Sequence, residues 1–254
     1  MSERRGDPLR SGRSLDALYA EVLGAGGSLP RIREVLLRHA PEESTLRSLL
    51  RRPVAVPLLE HLGATPPWSE RPGVLGAVVL NPRVPRALAL RLVSALYWRD
   101  LADVAATPRV DGAVRARAEA MLQERLTELR LGERITLARL ATPALLRPLL
   151  ADRDPRVLET VLRNPRLREE DVVLAVRRDT VSRGLLEAVA ASTRWQESYA
   201  VRLALVLQPR TPLGLSLGRI RTLLRRDLLR VADADELVPV IRAAALRVAE
   251  GESG

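Results

Sequence analysis

The stretch 81–101 (NPRVPRALALRLVSALYWRDL) returns without a gap at 208–228 (QPRTPLGLSLGRIRTLLRRDL), 127 residues later (208 − 81). Pro82, Arg83, Pro85, Leu88, Leu90, Leu96, Arg99, Asp100 and Leu101 recur as Pro209, Arg210, Pro212, Leu215, Leu217, Leu223, Arg226, Asp227 and Leu228. At the same offset, 53–122 against 180–249 gives 25 identities in 70 aligned pairs. A chain this rich in Leu, Arg and Ala would give roughly a tenth by chance, so the match is a true repeat. Upstream the offset changes to 125, where Pro30-Arg31-Ile32 faces Pro155-Arg156-Val157. The repeat divides the chain into two related halves, about 29–122 and 154–249, with a helical bridge over 123–153.

The repeated material is helical. Hydrophobic residues are 46% of the chain, aromatics only 2%, and Phe is absent. A core made of Leu, Val and Ala suits thin layers of packed helix pairs, and the β-branched and aromatic alternation of strands is nearly missing. The expected fold is therefore all-α: an α-solenoid of short antiparallel helix pairs, two related halves in tandem, over 14–250. Residues 1–13 and 251–254 read as disordered tails.

Caps and prolines divide the helices. Pro30 opens one to about Ala40, another follows to Arg52, and Asn81-Pro82 breaks the chain before a helix from Pro85 to Trp98. Asn tolerates the left-handed conformation that ends helices, which accounts for its place there. Asp111, Thr142, Asp154 and Thr211 have the chemistry of N-caps, with Pro143, Pro155 and Pro212 at the first helical position. Gly112 to Arg130 reads as the longest helix and the bridge. Asp154-Pro155-Arg156-Val157, Val161-Leu162 and Asn164-Pro165 with a short following helix resemble the leucine-rich repeat variant, a HEAT-like α-solenoid family, best over about 140–215. That resemblance implies stacked helices and a binding surface, not a reaction; an iron–sulfur cluster known in the family cannot carry over, because this chain has no Cys.

No motif names a reaction, and the expectation is a chain that is not an enzyme and holds no cofactor or metal. Without Cys there are no disulfides, thiolate metal sites or Cys nucleophiles, which fits a reducing, cytoplasmic location. No run of 18 apolar residues reads as a membrane span, and no apolar segment follows the charged start as a secretory signal would require. Gly214-Leu215-Ser216-Leu217-Gly218 has the spacing of a nucleophile elbow, but that motif needs a preceding strand and a later His. A helix is expected at that point, and both histidines, His39 and His61, come earlier and lack metal-ligand spacing. The acids Glu169-Glu170-Asp171 suit the first turn of a helix.

The candidate binding residues are Trp68 and Trp195, which recur at matched positions, and Arg83, Arg210, Arg156 and Arg166, which follow prolines in the turns. In a solenoid, equivalent turn residues line one edge, so these arginines are expected to form a basic rim. Net charge is +10, carried by Arg alone, since Lys is absent. The reading is a scaffold or adaptor that binds a protein through its concave face or Arg-lined edge. The alternative is nonspecific binding of nucleic acid through phosphate contacts, against which stand few aromatics for stacking and many interleaved acids.

Overall fold

A computed structural model describes residues 8–251, with side chains described from residue 15 onward. Among these residues the chain is helical throughout, with no strand, and adjacent helices pack in succession as an all-α helical repeat. It divides into two compact units, with the boundary between Thr127 and Glu128.

The first unit comprises α1 (Pro8–Gly24), α2 (Leu29–His39), α3 (Glu43–Leu49), α4 (Val56–Ala64), a 3-10 turn (Trp68–Glu70), α5 (Pro72–Val79), α6 (Arg86–Val93), α7 (Trp98–Ala106) and α8 (Gly112–Arg125). The odd helices pack on one another in order, α1 on α3, α3 on α5 and α5 on α7; the even helices do the same from α2 to α8. This is a two-layer stack, and it has a consequence for its turns. Turns after α3, α5 and α7 all lie at one end of the helices, and turns after α2, α4 and α6 at the other. Stripes such as Leu58, Leu59 and Leu62 on α4 are wholly buried between the layers. Truncating any one of them to Ala would cost about 2–5 kcal/mol.

The second unit comprises α9 (Leu131–Leu140), α10 (Pro143–Leu149), α11 (Pro155–Arg163), α12 (Glu169–Val176), α13 (Arg183–Ala191), the single turn α14 (Thr193–Gln196), α15 (Tyr199–Leu207), α16 (Leu213–Ile220), α17 (Arg225–Ala232) and α18 (Pro239–Ala249). One layer runs α9, α11, α13, then α16 and α18; α12, α15 and α17 pack in the other. Its last helices close over Val206, Ile220, Leu228, Val231, Ile241 and Ala245. Three helix starts in each unit, Arg86, Trp98 and Gly112 against Leu213, Arg225 and Pro239, differ by the same 127 residues as the sequence repeat.

Several expectations need correction. The first helix starts at Pro8, ahead of Ser14, and at 17 residues it is longer than α8, which has 14. Residues 1–7 and 252–254 of the expected tails lie outside the described residues. The bridge over 123–153 is not a separate element: α9 and α10 pack on α11 inside the second unit. The helix expected from Pro85 to Trp98 stops at Val93, and Trp98 opens α7. Pro85 and Pro212 occupy the N-cap position, with extended backbone, so Thr211 is not the cap. Asp111 and Asp154 do cap: Asp111 Oδ1 accepts from the amides of Ala113 (2.9 Å) and Val114 (3.4 Å), and Asp154 Oδ1 from that of Arg156 (2.9 Å). Thr142 stands at the N-cap of α10.

Candidate interaction surface

The repeated Asn-Pro and Gln-Pro turns are built around a buried amide. Asn81 is 2% exposed; its Nδ2 donates to the carbonyls of Leu50 (2.7 Å) and Arg52 (2.9 Å), at the end of α3, and its Oδ1 accepts from Arg83 N (2.9 Å). Gln208 does the same in the second unit, donating to Val176 O (2.7 Å) and Arg178 O (3.3 Å) and accepting from Arg210 N (3.2 Å). Asn164 donates to Ala138 O (2.8 Å) and Arg139 O (3.3 Å) and accepts from Arg166 N (2.8 Å). The carbonyls at a helix C-terminus lack intrahelical partners, and the amide of the next turn supplies them. The following proline disfavours helical backbone at the amide residue and so ends the helix there. Asn is therefore not in a left-handed conformation: Asn164 has φ −66 and ψ 126, and Ala40 is the one non-glycine residue with positive φ among those described.

This staple decides where the candidate arginines go. Arg83 and Arg210 project from stapled turns, exposed, with no carboxylate or hydrogen-bond partner for their guanidinium among the described residues. Arg156 and Arg166 differ. Arg156 forms a two-pronged pair with its own cap, Nε to Asp154 Oδ1 at 3.1 Å and Nη2 to Oδ2 at 3.0 Å, and that hydrogen bonding holds the Asp154 carboxyl below its ordinary range. Arg166 lies at the opposite end of the helices from Arg156 and Arg210, because its turn follows α11 and theirs follow α10 and α15. There Nη1 donates to Leu140 O at 2.9 Å. Within the second unit, Arg156, Arg166 and Arg210 thus do not share one edge.

Much of the positive charge is structural in the same manner. Arg125 donates to the carbonyls of Leu96 and Ser94, Arg194 to Asn164 and Leu167, Arg219 to Leu215 and Ala190, and Arg225 to Ala249. A guanidinium fork meets two carbonyls at once and complements the negative end of a helix dipole, which a Lys ammonium does less well. All of these partners except Leu215 lie 24 to 31 residues away, about one repeat, where no local pattern points.

Trp195 is 3% exposed; its Nε1 donates to Leu162 O at 3.0 Å and Arg194 stacks on its ring at 4.3 Å. Its burial takes it off any contact surface. Trp68 is half-buried, carries Arg71 over its ring at 5.0 Å, and lines an open recess of about 420 Å³ with Leu36, Leu37, Ala40 and Pro41. Trp195 bonds to α11, and Trp68 lines its recess with α2, each three elements back in the chain, but with unequal burial. A recess of about 560 Å³ in the second unit, lined by Pro155, Glu159, Leu162, Arg163, Ala188 and Arg194, occupies the position beside Trp195's turn.

The remaining candidates resolve as packing. Ser216 is fully buried in the middle of α16, so no strand-to-helix elbow presents it. His39 Nε2 lies 3.0 Å from Glu21 Oε1, and His61 Nδ1 lies 3.1 Å from Thr65 Oγ1; burial, and then Arg33, lower the His61 pKa. No group of three or more His, Asp or Glu among the described residues is arranged to hold a metal, and no described helix is long and apolar enough to cross a membrane. Asp171 does more than start α12: its buried carboxylate takes Arg147 Nε at 2.6 Å. Asp227 accepts a hydrogen bond from Tyr199 OH, which in turn accepts from Leu224 N at 3.1 Å. Its counterpart Asp100 packs over Gly76 of α5, where a Cβ would lie 2.8 Å from Asp100 Oδ1. No family model matches the chain, and neither a curated protein nor a solved structure is significantly similar to it.

Proposed function

We propose that this chain is a non-enzymatic helical-repeat adaptor, built by duplication of one half, that binds a protein partner through the exposed arginines of its turns. The observation that carries this reading is the division of labour among the arginines. Many are tied to carbonyls or carboxylates, whereas Arg83 and Arg210 stand unpaired on corresponding stapled turns, 127 residues apart. Arginine is a frequent hot-spot residue, and a turn already held rigid loses little freedom on binding. The proposal includes membership among leucine-rich repeat variant and HEAT-like proteins, on the resemblance of 154–165, and a cytoplasmic location. Affinity capture with mass spectrometry tests it: a reproducible protein partner supports the reading, and none across independent preparations counts against it.

A second reading, binding of a nucleic-acid backbone, is favoured by the net charge of +10. It predicts a steep fall of affinity with salt and capture that disappears after nuclease treatment.

A further inference from the structure

In the first unit three turns at the same end of the helices carry exposed arginines: Arg51 after α3, Arg83 after α5 and Arg109 after α7. The turns adjoin. Asn81 bonds directly to the carbonyls of Leu50 and Arg52, and a cavity of about 200 Å³ brings Asn81, Pro82, Val84, Arg109 and Val110 together. None of the three guanidinium groups has an ion-pair or hydrogen-bond partner among the described residues. The neighbouring carboxylates are engaged: Asp16 pairs with Arg52 at 2.8 Å, and Asp111 caps α8 with Arg86 3.7 Å away.

We infer that this edge takes an extended acidic peptide segment of a protein partner, with Arg51, Arg83 and Arg109 each receiving a carboxylate and Pro82, Val84 and Val110 supplying an apolar floor. The inference rests on the adaptor reading and names its partner chemistry. Helices packed in one layer lie about 8–10 Å apart, so successive turns repeat at that distance. A peptide extended as polyproline II has three residues per turn and advances about 3.1 Å per residue, so acids three residues apart share one face at about 9 Å and match the arginine ladder. Guanidinium recognises a carboxylate in two-pronged geometry. Single-stranded nucleic acid fits less well, because it needs aromatic faces for stacking. Trp68, Tyr97 and Trp98 belong to turns at the other helix ends, and Tyr19, whose hydroxyl reaches Pro53 O, has its ring covered by Arg52 at 4.9 Å. In the second unit Arg178 and Arg210 repeat Arg51 and Arg83 at the 127-residue offset, but Glu236 replaces Arg109, so the full ladder belongs to the first unit.

The test uses the whole chain and a fluorescent peptide of about nine residues with Glu at every third position, read by polarisation at low ionic strength. The expected result is saturable binding. It should weaken about tenfold when Gln replaces Glu in the probe, and by at least that factor in the triple variant Arg51→Gln/Arg83→Gln/Arg109→Gln, while Arg117→Gln on α8 binds as the parent does. The inference is overturned if the Gln peptide binds equally, if the triple variant is unaffected, or if an oligonucleotide of matched charge binds more tightly. Absence of probe binding, with a partner still captured by both parent and triple variant, overturns the acidic edge and leaves the adaptor reading standing. Failure to capture any protein overturns the adaptor reading itself.

Discussion

Replacing Asn81 by Ala removes three hydrogen bonds, of 2.7, 2.9 and 2.9 Å, and leaves two carbonyls and one amide without partners in a site where the side chain is 2% exposed. A net worth of about 0.5–1.5 kcal/mol per bond gives a loss of about 2–4 kcal/mol. That is a large share of the ~5–15 kcal/mol that holds a folded chain together. Two further substitutions separate the staple from simple loss of volume. Asn81→Gln should be the mildest, because Gln208 performs the same three bonds in the second unit. Asn81→Asp should be the worst at neutral pH, since a carboxylate would face the carbonyls of Leu50 and Arg52 with no proton to give. Acidification should partly rescue it. Urea unfolding followed by far-ultraviolet circular dichroism measures the order, and hydrogen exchange at 50–52 and 81–84 locates the damage. An Asn81→Ala loss below about 0.5 kcal/mol, or Asn81→Gln falling below Asn81→Ala, would refute the reasoning.

Other consequences can be measured in parallel. Trp195→Ala should cost about 3–5 kcal/mol and Trp68→Ala clearly less, in line with their unequal burial; equal losses in thermal or urea melts would contradict this. Tyr199→Phe strips the Asp227 carboxylate and the Leu224 amide of a shared hydroxyl and should cost about 1–3 kcal/mol by urea unfolding, whereas no change would show the pair to be idle. Burial raises the Asp100 pKa above 3.8, with Asp103 and Glu43 adding to the rise and Arg47 and Arg99 opposing it. The fold therefore favours the protonated form, and stability is lost as pH rises from the unfolded value through the folded one. Asp100→Asn should accordingly raise the melting temperature at neutral pH, and the advantage should vanish below about pH 4; a gain that persists in acid would point to another cause.

The helical repeat was legible because its evidence is periodic and local: Leu88, Leu92 and Val93 fall on one stripe, and Asp111 and Asp154 cap as their chemistry requires. The amide staples were not, because Asn81, Asn164 and Gln208 act on carbonyls 25 to 32 residues away, where no local pattern points. A signal did exist. The repeat aligns Gln208 with Asn81, an amide for an amide beside an invariant Pro-Arg pair, and two donors with one acceptor are what both share. Arg156 and Arg166 were misjudged for a related reason: position after a proline does not tell which end of a helix a turn occupies, nor that Asp154 lies within reach. Trp195 and Trp68 kept corresponding places but not equal burial, and the turn that carries each differs, a full α-helical turn in one unit and a 3-10 turn in the other.

The adaptor account stands most directly on Arg83 and Arg210, corresponding turn arginines of the two units that the fold does not use. The double charge reversal Arg83→Glu/Arg210→Glu, compared with the parent by quantitative affinity capture, puts it to the test. Both side chains are exposed, so the melting temperature should stay near the parent's while recovery of the partner falls at least about tenfold. Undiminished capture by a stably folded variant would contradict the account.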